Sequence, residues 1–267
     1  MKRAVIVASA SSPHQNMWGE SMREGLQRHG WHADIEVEPR FADLLVLWGV
    51  RRELAIERQK LRGEVCILER GYVADRFKWT SMSLGGGLNG KGVFRGPFAD
   101  RTRWDANFAD CMHPWKERDD NKYVLIMGQV PTDMSLRGLN PHAEWFNMAQ
   151  AFQSQGHDVR FRPHPLAPRE RIPGVLSLPD GPLSDAMDGA KCVVTVNSNS
   201  GVDAVLAGIP TISLDRRSMA WDVTGHTPAI PDPVDRDAWA SALAWKQWRC
   251  DEISSGLAWE TLNAGTL

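Results

Sequence analysis

A strand, then a run of small polar residues, then a glycine and a helix start is a pattern able to hold a phosphate. Thr195-Val196-Asn197-Ser198-Asn199-Ser200-Gly201-Val202-Asp203-Ala204-Val205-Leu206-Ala207-Gly208-Ile209-Pro210 follows it. A helix N-terminus offers free backbone N–H groups and the positive end of the helix dipole, both suited to an anion. Ser198 and Ser200 add hydroxyl donors. Asp203, in the first helical turn, can accept from ribose hydroxyls as acidic residues do in other nucleotide sites. Gly208 and Pro210 end the helix. The plainer reading is that Ser200 caps this helix and Asp203 complements its dipole.

A second group, Arg160-Phe161-Arg162-Pro163-His164-Pro165, closes a strand in the same half. Flanking prolines stiffen the backbone at His164, and the arginines place positive charge beside it. An imidazole held in this way can pair with a leaving diphosphate, the alternative being a simple turn residue. Two other clusters carry less. Cys111 and His113 have no further ligands at useful spacing, so no metal site is expected. The glycines between 85 and 90 lack the lysine-containing order of a phosphate loop and open no evident helix; they read as a flexible loop that can serve an acceptor.

The elements that must position these residues alternate. Strands are expected over 4–8, 33–37, 44–48 and 64–68, with helices over 15–29 and 51–61. Leu44-Leu45-Val46-Leu47-Trp48 is apolar throughout, as a central parallel strand should be. The alternation predicts a parallel sheet with helices on both faces. From 71 to 120 it fails, and the stretch reads as a long functional loop. Lys116 to Asn121 has no apolar residue and reads as a solvated linker. A second series follows: strands over 122–127, 158–162, 174–178, 192–196 and 211–214, and helices over 142–155, 183–189 and 201–207. The chain is therefore an α/β protein of two Rossmann-like lobes, residues 1–115 and 122–235, with a helical tail over 236–267 packing back on the first lobe. A ligand of such a protein belongs in a cleft at the carboxyl ends of the strands.

Composition narrows the class. The chain has 267 residues, 42% of them hydrophobic and 24% charged, with a formal net charge of −2. That is the balance of an ordinary folded protein without the basic excess of a general nucleic-acid binder. No apolar run approaches the roughly 20 residues of a membrane span. Four cysteines lie far apart, and Cys66 and Cys192 sit in apolar runs, which predicts buried, reduced thiols and a cytoplasmic protein. Twelve tryptophans accompany two tyrosines; most are expected in the core.

The order strand, His-Pro, strand, Ser-Asn-Ser-Gly, acidic residue, Ala, then Gly-x-Pro resembles the C-terminal domain of the GT-B glycosyltransferases, above all the capsule-polysaccharide, sialyltransferase-like and phage-encoded groups. The resemblance covers about residues 122–215. The run Ala244-Trp245-Lys246-Gln247-Trp248 through Ile253-Ser254-Ser255-Gly256 is similar to the tails of phage members. The resemblance implies a metal-independent transferase with no tightly bound cofactor, using a nucleotide-sugar donor, in the first place a UDP-sugar. It places His164, Ser198 and Ser200 on the donor phosphates and Asp203, where many relatives carry Glu, on the ribose. Arg162, Asn197, Asn199 and Gly201 complete the donor set. Ile126-Met127-Gly128-Gln129-Val130-Pro131-Thr132-Asp133 is similar to the loop that approaches the nucleotide, with Gln129 as the contact.

The same resemblance implies that the acceptor and the catalytic base belong to the first lobe, in the loop Glu69 to Trp79. An inverting transfer needs a carboxylate near the acceptor hydroxyl. Asp75 is the foremost candidate and Glu69 the second, each with the alternative of a structural ion pair to Arg70 or Arg76. Arg76, Trp79 and Asn89 are the acceptor-contacting candidates. Phage relatives imply a hydroxymethylated base in DNA as acceptor, in a host's cytoplasm. Arg70, Arg76, Lys78, Lys91, Arg95, Arg101 and Arg103 interleaved with Phe77, Trp79, Phe94 and Trp104 form the kind of stretch that would meet it.

Overall fold

A computed structural model describes residues 1–9, 11–117, 119 and 122–264. The chain divides into two compact units, Met1–Phe108 with Asp237–Leu267, and Ala109–Arg236. Each has its own sheet and its own core.

In the first unit, β1 (Arg3–Val7), β2 (His32–Glu36), β3 (Leu44–Trp48), β4 (Glu64–Arg70), β5 (Thr80–Leu84) and β11 (Gln247–Trp248) form one sheet in the order β11-β5-β4-β3-β1-β2. The first four strands run parallel. Because side chains alternate along a strand, β1, β3 and β4 each serve two cores, while the edge strand β2 serves one. Ala4, Ile6, Leu44 and Val46 pack with α1 (Pro13–Arg28), α8 (Cys250–Ser254) and α9 (Leu257–Asn263). Val5, Val7, Leu45 and Leu47 pack on the other face with Ile56 of α2 (Glu53–Lys60). Ser12 caps α1, its side chain accepting from the N–H of Gln15, and Pro13 occupies the first turn, where its missing N–H costs nothing. Gly25 of α1 lies so close to α8 that a Cβ there would stand 2.0 Å from the carbonyl oxygen of Ile253.

The region after Arg70 is not a loop throughout. It holds β5, which pairs antiparallel with β4, and α3 (Thr102–Asn107). The closing segment, with α7 (Asp237–Ala244), contributes β11, antiparallel to β5. Arg103 of α3 is buried. Its guanidinium donates to the carbonyls of Ala244 and Gln247 and to both carboxylate oxygens of Glu252, and it lies 4.3 Å from the Trp248 ring centre. Part of the interleaved basic and aromatic stretch is thus taken up inside the first unit, while Phe77 and Lys78 stay exposed. Arg103, Trp104 and Trp79 are buried, and Arg101 is paired with Asp105 and Asp237. The glycine loop is tied as well: Leu84 and Val93 exchange backbone hydrogen bonds, Gly85 N–H meets the Glu64 carboxylate, and Gly86 N–H meets the Val65 carbonyl.

The second unit holds β6 (Tyr123–Met127), β7 (Val159–Arg162), β8 (Leu176–Ser177), β9 (Ala190–Thr195) and β10 (Thr211–Ser213), all parallel, in the order β10-β9-β6-β7-β8. Read in reverse and counted from β6 this is 3-2-1-4-5, the order of a Rossmann sheet without its sixth strand. Val124 and Ile126 face α4 (Pro141–Ser154) through Trp145, Met148 and Phe152, while Leu125 and Met127 pack with Met187 of α5 (Leu183–Asp188) and Ala204 of α6 (Ser200–Leu206). The segment read as a linker starts inside this unit: His113 N–H bonds the Leu206 carbonyl and Lys116 N–H the Gly208 carbonyl. Arg118, Asp120 and Asn121 of that segment lie outside the described residues, as do residues 265–267 of the tail. Cys66 and Cys192 are buried free thiols. No helix among the described residues is long and apolar enough to cross a membrane.

Candidate functional site

The second sheet reverses direction at β6. The chain moves from β6 outward to β7 and β8, then returns to β9 on the other side. Ligands of open α/β sheets bind at such a switch point, outside the carboxyl ends of the strands. Three loops emerge there from neighbouring parallel strands: Gly128 onward from β6, Pro163-His164-Pro165 from β7, and Val196 to Asn199 from β9.

The centre of the site is a reciprocal amide pair. Gln129 Nε2 donates to Asn197 Oδ1 at 3.0 Å, and Asn197 N–H donates to Gln129 Oε1 at 3.1 Å. Both residues are buried. Asn197 Nδ2 also reaches the Ser135 carbonyl at 2.8 Å and Asp215 Oδ2 at 2.7 Å. Asp215 accepts in addition from Arg217 Nε, and Arg217 Nη1 donates to the Arg137 carbonyl. These bonds lock the loops after β6, β9 and β10 together. Ser135, Asp215 and Arg217 were not legible as site residues. Their one signal is that Asp215 falls just past the carboxyl end of β10, level with Asn197 past β9.

On the other side, Gly128 N–H donates to the Arg162 carbonyl at 2.8 Å. A Cβ on Gly128 would stand 2.9 Å from Phe161 Cζ, 3.1 Å from the Arg162 oxygen and 3.2 Å from the His164 nitrogen, so glycine is what lets the His-Pro turn lie against β6. His164 Nδ1 accepts from the Leu166 N–H at 3.1 Å. With its lone pair engaged there, the neutral ring carries its proton on Nε2 and presents it as a donor. Burial lowers the His164 pKa below its usual 6.5, Asp133 opposes this and Arg162 adds to it. At neutral pH the ring is therefore a hydrogen-bond donor to an anion and not a cation. Arg162 and His164 line a cavity of about 250 Å³ together with Arg171 and Asp180. Arg162 is steadied by a 2.8 Å bond from Nη2 to the Gly181 carbonyl.

The serine cluster differs in detail from the capping pattern. The residue preceding α6 is Asn199, with helical φ and ψ, and Ser200 is its first helical residue. Ser198 Oγ accepts from both the N–H and the hydroxyl of Ser200, at 3.2 and 2.9 Å. Ser198, Asn199, Ser200 and Asp203 are half-buried, and Gly201 is buried with its Cα over Thr195, where a Cβ would meet Oγ1 at 3.1 Å. Gln129, Arg162, His164, Asn197, Ser198, Asn199, Ser200, Gly201 and Asp203 thus share one edge of one unit.

The first unit brings fewer of its candidates together. Glu69 ends β4, half-buried, its Oε1 accepting from the Arg70 N–H and its Oε2 3.4 Å from where a Gly49 Cβ would stand. That is the carboxyl end of the parallel strands, beside the β1–β3 switch point of this sheet. Asp75 is 48% exposed; its Oδ1 accepts from the Phe77 N–H and its Oδ2 lies 3.8 Å from Lys78 Nζ, so it shapes a turn there. Arg76 is half-buried in the same turn. Trp79 packs on Phe108 at 4.6 Å between ring centres and is 7% exposed, so it supports the loop from beneath and offers no open face for stacking. Asn89 does not join this group. It follows β5, which is antiparallel, and so falls at the amino end of β4, the full length of that strand from Glu69.

A residue not singled out from sequence does join it. His14, in the first turn of α1, packs on Trp48 at 4.8 Å and on Trp18 at 6.1 Å, and its Nε2 is buried with no hydrogen-bond partner among the described residues. Burial and then the Arg70 charge lower its pKa from 6.5. Its position after β1, in the first turn of a helix, is readable as a carboxyl-end location, but a histidine between a proline and a glutamine carries no further signal.

No family model matches the chain, and no curated protein is similar to it in sequence. Solved structures are similar in fold. Against the β-Kdo 2,7 transferase of Thermosulfurimonas dismutans KpsC the TM-score is 0.56 at 14% identity, over 97% of this chain and 99% of that one. Against the β-Kdo 2,4 transferase of the same KpsC it is 0.56 at 15% identity, over 90% and 89%. At these identities the likeness carries the fold: two Rossmann-like lobes of the GT-B type, spanning both units of this chain.

Proposed function

We propose that the protein is a glycosyltransferase that moves a sugar from a nucleotide-sugar, in the first place a UDP-sugar, to an acceptor hydroxyl without a metal ion. The observation that carries the reading is the Gln129–Asn197 pair at the switch point of the second sheet, with His164 Nε2–H on one side and the Ser198–Ser200 turn on the other. A donor diphosphate set there would receive hydrogen bonds from His164, Arg162 and the serine turn, and Asp203 would take the ribose. Preorganised donors of this kind stabilise the charge that builds on a departing diphosphate. The acceptor-side group is assigned to the first unit. Glu69, at a strand end and half-buried, is the stronger candidate for the base, since partial burial suits a carboxylate to proton abstraction at neutral pH. Asp75 is the second candidate.

The test is a panel of nucleotide-sugars incubated with the protein and with hydroxymethylated DNA, unmodified DNA or no acceptor, followed by mass analysis of nucleosides and donor products. A hexose or pentose mass on a base, lost in His164→Ala and Glu69→Gln, supports a DNA-directed transferase. Donor hydrolysis without transfer places the acceptor elsewhere. Donor binding with neither hydrolysis nor transfer overturns the enzyme reading in favour of a nucleotide-sugar binding protein. Interconversion of free nucleotide-sugars would identify an epimerase instead.

A further inference from the structure

The connection from β2 to β3 carries no helix. Both strands flank β1 in parallel, so the chain must pass over β1, and it does so in the seven residues 37–43. Parallel crossovers ordinarily take a dozen residues or more and cover the sheet with a helix. Here the short loop and α2 leave between them a groove of about 560 Å³ in the first unit, floored by Leu45 and Gln59. Phe41 and Leu54, on opposite walls, are 51% and 64% exposed. Large apolar side chains left open at a cavity of this volume mark a ligand site, for which 300–1,000 Å³ is the usual span.

The rim is made of guanidinium groups: Arg40, Arg51, Arg52 and Arg58. Arg52 is tied at 2.5 Å to Glu38 and at 2.9 Å to the Val37 carbonyl, and Arg40 lies 3.5 Å from Glu36. Arg62 stands 4.9 Å from the Phe41 ring centre. Five guanidiniums therefore meet three carboxylates, those of Glu36, Glu38 and Glu53, and the excess is positive. A ligand complementary to this lining has anionic oxygens for fork-shaped donors and a flat ring for an exposed phenylalanine. A nucleotide joins the two in one small molecule.

We propose that this groove is a second ligand site, taking a nucleotide whose phosphate is held by Arg51 and Arg58 and whose base lies along Phe41 and Leu54. It uses no residue of the donor site and stands whether or not the chain transfers sugar. The nucleotide can be free or part of a single strand, and the experiment separates the two. Full-length protein is titrated into fluorescein-labelled (dT)10 at 50 mM salt, and dTMP is then added as competitor.

Saturable binding is expected, weakened about tenfold in Arg51→Gln/Arg58→Gln and several-fold in Phe41→Ala, as loss of two phosphate contacts and one stacking face should do. Melting temperatures should stay at the wild-type value, because both arginines are on the surface; Arg51→Lys/Arg58→Lys, which keeps the charge and loses the fork, should fall between. Displacement by dTMP at matched phosphate concentration identifies a free nucleotide as the ligand, and displacement only by unlabelled (dT)10 identifies a strand. Absence of saturable binding by either probe overturns the proposal. So does binding that survives both arginine variants, and if His164→Ala abolishes it instead, the strand is held on the second unit.

Discussion

Gln129 and Asn197, 68 residues apart in sequence, hold each other through two hydrogen bonds at the switch point of the second sheet. Asn197 spends its remaining donor capacity on Ser135 and on the Asp215 carboxylate. It belongs to the loop after β9 and bonds the loops after both β6 and β10. Asn197→Ala leaves the buried Gln129 Nε2 without its acceptor and takes one of the two donors from Asp215 Oδ2, which should cost about 1–3 kcal/mol. Asn197→Asp should cost more at pH 7, because it turns a donor into a second carboxylate facing Asp215. That repulsion raises the folded-state pKa of the pair above its unfolded value, so the extra deficit should shrink as pH falls through that folded pKa. Urea midpoints from pH 7 to pH 4 check both the order and the trend; equal stability of the two variants at pH 7 would remove Asp215 from the network.

Gly128→Ala should destabilise the second unit by about 1–3 kcal/mol through overpacking against Phe161 and the His164 backbone, and should weaken nucleotide binding by shifting the His-Pro turn. Gly181→Ala is the matched control. No atom lies within 4 Å of where its Cβ would go, and its φ is not positive. Calorimetric melting and UDP titration of both variants should show a loss in the first and none in the second.

How much of this was legible from the chain alone follows from the range of each interaction. In the second sheet β6 and β9 are legible as buried, largely apolar runs followed by polar punctuation, whereas β7 alternates and β8 shrinks to two of the five residues expected over 174–178. Strand β5 was not legible. Thr80-Ser81-Met82-Ser83-Leu84 is buried at all five positions but carries only two apolar residues, Met82 and Leu84, so its period-two signal is short and weak. Its neighbour β11 comes from Gln247 and Trp248, at the far end of the chain. The donor-side candidates lie in short local motifs, and the structure gathers them at the carboxyl edge of the second sheet. Asp215 was missed because its role rests on a contact across 18 residues with Asn197. Asn89 and Trp79 are candidates by residue type near a promising loop; the antiparallel direction of β5 carries Asn89 to the far end of β4, and packing on Phe108 buries Trp79, neither of which a local pattern announces.

His14 and His164 both have pKa values lowered chiefly by burial. The unfolded chain therefore binds more protons than the folded one as pH falls through 6.5 toward the folded values, and stability should drop across that window and level off below it. The double variant His14→Gln/His164→Gln should show a flatter stability profile between about pH 7 and pH 5, the region bracketing the unperturbed histidine pKa. Denaturant midpoints at half-unit steps of pH measure the slope directly. An unchanged slope would mean that other groups set the acid limit. Nucleotide binding should respond in the opposite sense at first, since protonation of His164 adds charge beside an anionic ligand while the fold still holds.

Arg103 and Glu252 form a buried pair in the first unit, joined by bonds of 2.6 and 2.8 Å and roofed by Trp248. Through the carbonyls of Ala244 and Gln247 the same guanidinium fastens α3 to the closing segment. Removing one charge leaves the other buried alone, so Arg103→Met should destabilise by about 3–5 kcal/mol. Glu252→Gln should cost less, because it keeps an acceptor for the guanidinium and for the backbone N–H of Arg249, the residue that precedes α8. Replacing both partners with methionine should recover much of the loss from the ion pair itself but not the two carbonyl bonds. A double-mutant cycle read by urea unfolding separates these contributions. A coupling energy near zero would show that Arg103 acts through the carbonyls and tryptophans alone. Because every partner of Arg103 lies in the first unit, UDP affinity at the second unit should stay at the wild-type value wherever the variants remain folded.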